Sequence, residues 1–111
     1  MKRNTAQLKE QLIQTGIDEI GKHGIEQLSL RTVAKACGVT HGSPYRHFES
    51  KEGYLKVVLT QLSLFLNQEI NENIDATGSA RDQLTQLGLN FIIFAKTYPP
   101  FFEALFIKFP F

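Results

Sequence analysis

Leu8, Leu12, Ile13, Ile17 and Ile20 recur at three- and four-residue intervals, which places them on one face of a helix running from about Thr5 to His23. Gly24 is the expected left-handed cap. Ser29 then reads as an N-cap, and Leu30, Val33, Ala34 and Cys37 form the next apolar stripe before Gly38 stops it. A helix of about two turns cannot stand alone and must pack on its neighbours. Ser50 opens a longer period, in which Leu55, Val58, Leu59, Leu62, Phe65, Leu66 and Ile70 share one face. The segment "NIDATGS" breaks it. Ser79 with Asp82 resembles a capping box, and Leu84, Leu87, Phe91, Phe94, Ala95 and Tyr98 predict another amphipathic helix. Pro99 and Pro100 end that helix, and Pro100 can open a short last one through Phe109. No strand alternation, internal repeat or low-complexity run interrupts the pattern, so the fold class is all-α.

The interval between Cys37 and Ser50, "GVTHGSPYRHFE", leaves room for a tight turn and one short helix. Gly38 supplies a left-handed residue, Val39 plugs inward and Thr40 caps the second short helix. Two short helices joined by such a turn make a helix-turn-helix, and the small Ala34 would let them cross closely. In a second helix spanning His41 to Phe48, Pro44 and Phe48 face inward, helped by the ring of Tyr45. His41, Gly42, Ser43, Arg46 and His47 face outward. That outer face has no carboxylate, permits close backbone approach and offers donors to base edges and phosphates, as DNA recognition requires.

Composition narrows the alternatives. The chain has 111 residues, 42% hydrophobic and 21% charged, which suits one folded domain or a small domain with part of another. Its longest apolar stretch, Leu87 to Ala95, contains Asn90 and is followed by Lys96. It is far below the roughly 20 residues of a membrane span. The basic start turns polar where a signal peptide would turn apolar, so a cytoplasmic protein without a membrane partner is expected. With one cysteine, Cys37, there is no internal disulfide, and its apolar flanks mark it as a small core residue. Residues 1–50 carry seven Lys/Arg against five Asp/Glu, while residues 51–111 carry five against six. Between Leu28 and Lys51 the basic residues are Arg31, Lys35, Arg46 and Lys51, and the only acid is Glu49. The basic patch and the helix-turn-helix coincide. His23, His41 and His47 do not share a ligand spacing, so no metal is expected. No cofactor loop, nucleophile–base pair or paired acids suggest an enzyme.

The stretch "LSLRTVAKACGVTHGSPYRHFESKEGYL", through Ala34, Gly38-Val39, Tyr45, His47-Phe48 and Ser50-Lys51-Glu52, resembles the DNA-binding segment of the TetR family of bacterial transcription regulators. The resemblance covers about Ala6 to Leu66 and implies a three-helix, homeodomain-like domain leading into a long fourth helix. It implies phosphate contacts from Ser29, Thr40, Tyr45, His47 and Lys51. It turns His41, Gly42, Ser43 and Arg46 toward the major groove, with Arg31 beside it. Two positions depart from the family pattern. Pro44 stands where an aliphatic residue is usual, which implies a loosened first turn if the helix starts at His41. The local rules instead read Ser43 as the cap and Pro44 as the first helical residue. Gly53 stands where a helix former is usual, at about 1 kcal/mol of helix propensity.

Residues 67–111 resemble the start of the family's helical regulatory domain. The partners implied are double-stranded operator DNA, a second copy of the chain joined through C-terminal helices, and a small apolar or amphipathic effector. Five of the nine phenylalanines fall at 101, 102, 106, 109 and 111, an end too apolar to cover itself, which suggests a regulator cut short. The rival reading is a helical ligand-binding or protein-interaction fragment that does not meet DNA.

Overall fold

The computed structural model describes residues 3–108. Over that range the helices are α1 (Thr5–His23), α2 (Leu30–Ala36), α3 (Ser43–Phe48), α4 (Lys51–Ile70), α5 (Ala80–Thr97) and α6 (Pro99–Phe106), with a 3-10 turn at Ile25–Gln27. The all-α expectation holds. The capping serines act as their spacing implies: Ser29, Ser50 and Ser79 each accept a bond from the backbone N–H three residues on, at 3.0, 3.0 and 3.1 Å. A capping box at the start of α1, in which Asn4 and Gln7 each accept from the other's backbone N–H, is additional to that reading. Gly24 does end α1 with a positive φ of 83°, but its ψ of 158° is not the left-handed cap expected. The chain leaves extended, into the 3-10 turn that buries Ile25. The expected end of the last helix at Phe109 lies outside the described residues. Within them, Ile107 is the C-cap of α6.

The core gathers the stripes. Leu12, Ile13 and Ile20 of α1 meet Leu30 and Val33 of α2, Phe48 of α3, and Tyr54, Val58, Leu59 and Leu62 of α4. Cys37, expected as a small core residue, is only half-buried, with Sγ 3.3 Å from the Thr15 hydroxyl. Helix α6 folds back so that Ala104 joins the same cluster, with Phe101 and Leu105 against it. Tyr98, Phe101, Phe65 and Phe94 form one aromatic group and Phe91, Phe102 and Phe106 another. Phe101 and Phe102 are therefore partly covered by the chain itself. Phe106 and Ile107 stay half or more exposed, so the apolar end is covered only in part. Phe109 and Phe111 lie outside the described residues. Asn90, the polar break in the apolar stretch, donates to the carbonyls of Ile70 and Glu72 at 2.9 and 2.8 Å and so ties α5 to the end of α4.

Two glycines mark close approaches. Tyr54 is fully buried, and its hydroxyl donates to the Leu12 carbonyl at 2.6 Å. Only the missing side chain of Gly16 leaves room for it, because a Cβ there would overlap the Tyr54 hydroxyl and ring. Gly53 has an equally local reason. A Cβ there would run into the backbone carbonyl oxygen of Phe48, where the chain turns through Glu49 at a φ of 66°. Gly53→Ala is therefore expected to destabilise the protein by about 1–3 kcal/mol, as overpacking does. By helix propensity alone it would instead add about 1 kcal/mol. Urea unfolding gives the sign directly, and a raised midpoint would show that the Phe48 carbonyl yields freely.

Candidate nucleic-acid interface

Helix α3 is short and is held from three sides by α1, α2 and α4. Pro44 and Phe48, four residues apart, point inward and are buried. Phe48 meets Tyr54 edge-on at 5.0 Å between ring centroids, and the Lys9 ammonium of α1 lies over the Phe48 ring, 5.8 Å from its centroid. The turn before α3 forms as the glycine requires: Gly38 has a φ of 72°, and Val39 N–H donates to the Ala34 carbonyl at 3.0 Å. Ala34 is fully buried.

The expected outward residues separate into two groups. His41, Gly42, Tyr45 and Arg46 are exposed, as are Arg31, Thr40 and Lys51, while His47 and Ser29 are half-buried. Ser43 is the exception. Expected on the groove-facing side, it is 8% exposed, because it lies on the flank of α3 beside the start of α1. The ring of Tyr45, expected to help inward, is 49% exposed instead. Thr40 does not cap α3 through its side chain. Gly42 holds the N-cap position without a side-chain bond, and Thr40 contributes its carbonyl to Ser43 N–H at 3.1 Å. Pro44 accounts for this: it has no N–H to donate and fits the first turn of a helix, so the helix starts just ahead of it. His41 and Gly42 are left in the turn, as the loosened first turn implied.

The exposed side of α3 itself carries cations, and the nearby acids, Glu49 and Glu52, lie at its C-terminal end and in the first turn of α4. The last turn of α3 carries Arg46 and His47, no acid lies in its first turn, and Lys51 opens α4 two residues beyond Glu49. A hollow of about 290 Å³ lies between α3 and the start of α1, bordered by Arg3, Thr5, Leu8, Ser43, Arg46 and His47. Arg3 was not among the expected site residues. Its sequence signal, the basic start of the chain, says nothing about where the tail folds. A surface of this kind can hold polyanions through cations and neutral donors, and its glycine and small polar groups allow another backbone to come close.

Residues 12–58 match the model of the family described as "Bacterial regulatory proteins, tetR family". Over 93 residues the chain is 32% identical to the "Probable acrEF/envCD operon repressor" of Escherichia coli, covering 83% of this chain and 41% of that one. It is 28% identical over 82 residues to the HTH-type transcriptional repressor KstR2 of Mycolicibacterium smegmatis, covering 74% of this chain and 40% of the relative. The chain thus spans about two-fifths of the length of these curated relatives. A crystal structure of a TetR-family transcriptional regulator from Haemophilus influenzae superposes with a TM-score of 0.65 over 94% of this chain and 57% of the other, at 22% identity, and so shares the fold. With the family's segment lying across α1 to α4, around the helix-turn-helix itself, the chain belongs to the TetR family of bacterial regulatory proteins.

Proposed function

We propose that this protein binds double-stranded operator DNA through the exposed side of α3 and regulates transcription, as a ligand-responsive repressor. One observation carries the reading: within the family-matched segment, α3 is anchored by Pro44 and Phe48 and leaves His41, Gly42, Tyr45 and Arg46 exposed with no acid in its first turn. His41, Gly42 and Arg46 read base edges, with Arg31 beside them, and Ser43 borders the groove. Ser29, Thr40, Tyr45, His47 and Lys51 bind phosphates. Two of the similar proteins carry the word repressor in their names, which supports the direction of regulation.

Residues 6–66 are the DNA-binding unit in this proposal, and 67–111 the beginning of a regulatory unit. Leu89, Ile92 and Ile93 of α5, with Phe106 and Ile107, are exposed, which favours further protein packing on these helices and a homodimer joined through C-terminal helices. A hollow of about 230 Å³ beside α5, bordered by Glu69, Glu72, Asn90, Ile93, Phe94 and Tyr98, is where a small amphipathic effector would begin to be enclosed.

The test is salt dependence of binding to duplex DNA. Each neutralised phosphate contributes about −0.9 to the slope of log affinity against log salt, so a slope of about −2 to −4 per monomer is expected. A flat dependence would instead favour a protein-interaction fragment.

A further inference from the structure

We infer that the outward face of α5 is a pairing surface for a second copy of this chain, with the two α5 helices antiparallel and Leu89 at the two-fold axis. The inference rests on the homodimer reading above and deepens it by naming the helix, its direction and the register.

Helix α5 packs on α4 and α6 through one side, where Phe94 is buried and Asn90 and Phe91 are half-buried. On the opposite side Asp82, Thr85, Leu89, Ile92 and Lys96 alternate at spacings of three and four residues, the seam spacing of paired helices. All five are exposed, as are Gly88 and Ile93 on the flanks. A Cβ added at Gly88 would meet no atom within 4 Å, so no other part of the described chain rests there. Burying the seam strands no hydroxyl, because Thr85 already donates to the Arg81 carbonyl at 2.9 Å. Asp82 at one end and Lys96 at the other form no ion pair among the described residues.

The order of these charges decides both partner and direction. Asp82 and Lys96 lie seven residues before and after Leu89. A second copy laid antiparallel about Leu89 therefore brings its Lys96 against Asp82 and its Asp82 against Lys96, and sets its Ile93 against Thr85. Each contact occurs twice, as an isologous interface requires. Parallel pairing would put Asp82 on Asp82 and Lys96 on Lys96, like charges at both ends. A second copy thus carries the complement of this face in full. One helix pair buries less than the roughly 800 Å² per partner of a standard interface, so the pairing is weak and depends on concentration.

The experiment is sedimentation equilibrium of the full chain over a concentration series, without DNA, so that α3 has no part in the outcome. The chain is compared with Leu89→Glu, Asp82→Lys and Lys96→Glu, with thermal unfolding of each in parallel. All three positions are exposed, so the fold should hold. The unaltered chain is expected to show a monomer–dimer equilibrium. Leu89→Glu, which sets two carboxylates at the axis, should show none. Asp82→Lys and Lys96→Glu should each weaken pairing by about 10-fold, because symmetry reverses two charge contacts at once. Mixed together, those two variants should associate, since each supplies the charge that the other has lost. A chain that stays monomeric at every concentration overturns the inference together with the homodimer reading for these residues. A dimer that survives Leu89→Glu overturns the inference alone, because the copies then meet through another face.

Discussion

Arg46→Ala is expected to lower affinity for a selected operator by roughly 5- to 150-fold, the equivalent of about 1–3 kcal/mol for a lost bidentate base contact. Arg46 is exposed on α3 beside the buried Pro44 anchor, so truncation removes no core packing and stability should hold. Tyr45→Phe and His47→Ala are expected to behave differently. Each removes a donor to phosphate, which carries no base information. Their losses, about 1 kcal/mol each, should appear equally on operator and random duplex. The operator comes from selecting bound sequences out of a random pool, and the comparison is the ratio of specific to non-specific affinity. Arg46→Ala should reduce that ratio, whereas the Tyr45 and His47 variants should preserve it. Equal losses for all three on both duplexes would remove Arg46 from the reading face.

The contrast between these residues depends on features of α3 that the sequence specifies only in part. Helix existence was legible because the stripes from Leu8 to Ile20 and from Leu55 to Ile70 are long and periodic, and because serines mark the starts. The turn was legible through Gly38, since few other residues adopt its φ of 72°. Which flank of α3 is covered was not. Pro44 and Phe48 point inward as the spacing implies, which leaves Ser43 and Tyr45 on opposite flanks, and only the packing of α1 beside α3 decides between them. Ser43 lies on the covered flank and the Tyr45 ring on the open one.

Contacts between elements distant in sequence left no local trace either. Nothing in the order of residues shows that Arg3 reaches the Cys37 carbonyl or that Ala104 of α6 joins the core beneath α1. Gly53, at first sight a weak helix residue, makes sense only once the Phe48 carbonyl is seen against it.

Gly16→Ala should destabilise the fold, although alanine is the better helix former by about 1 kcal/mol. Gly16 sits mid-way along α1, where an ordinary helix would gain from the change. The obstacle is Tyr54, whose hydroxyl donates to the Leu12 carbonyl at 2.6 Å and lies beside the Gly16 backbone N–H. Burial pushes that hydroxyl well above the ordinary tyrosine range, so it stays a neutral donor. The ring cannot retreat, being fully buried with Phe48 edge-on at 5.0 Å. A methyl at Gly16 must therefore push α4 away from α1 or turn the ring out of its rotamer. Overpacking of this kind costs about 1–3 kcal/mol, occasionally more, and here the whole α1–α4 contact shares it. Tyr54→Phe alone is expected to cost about 1 kcal/mol for the lost hydrogen bond. In the Gly16→Ala background the same change removes the nearer of the two colliding atoms and leaves the ring carbon. The double variant should therefore be less destabilised than the sum of the singles. Urea unfolding of the four proteins measures that coupling directly. Additive losses would show that the hydroxyl does not meet residue 16, and a Gly16→Ala protein more stable than the original would show that α1 and α4 are not packed through this tyrosine.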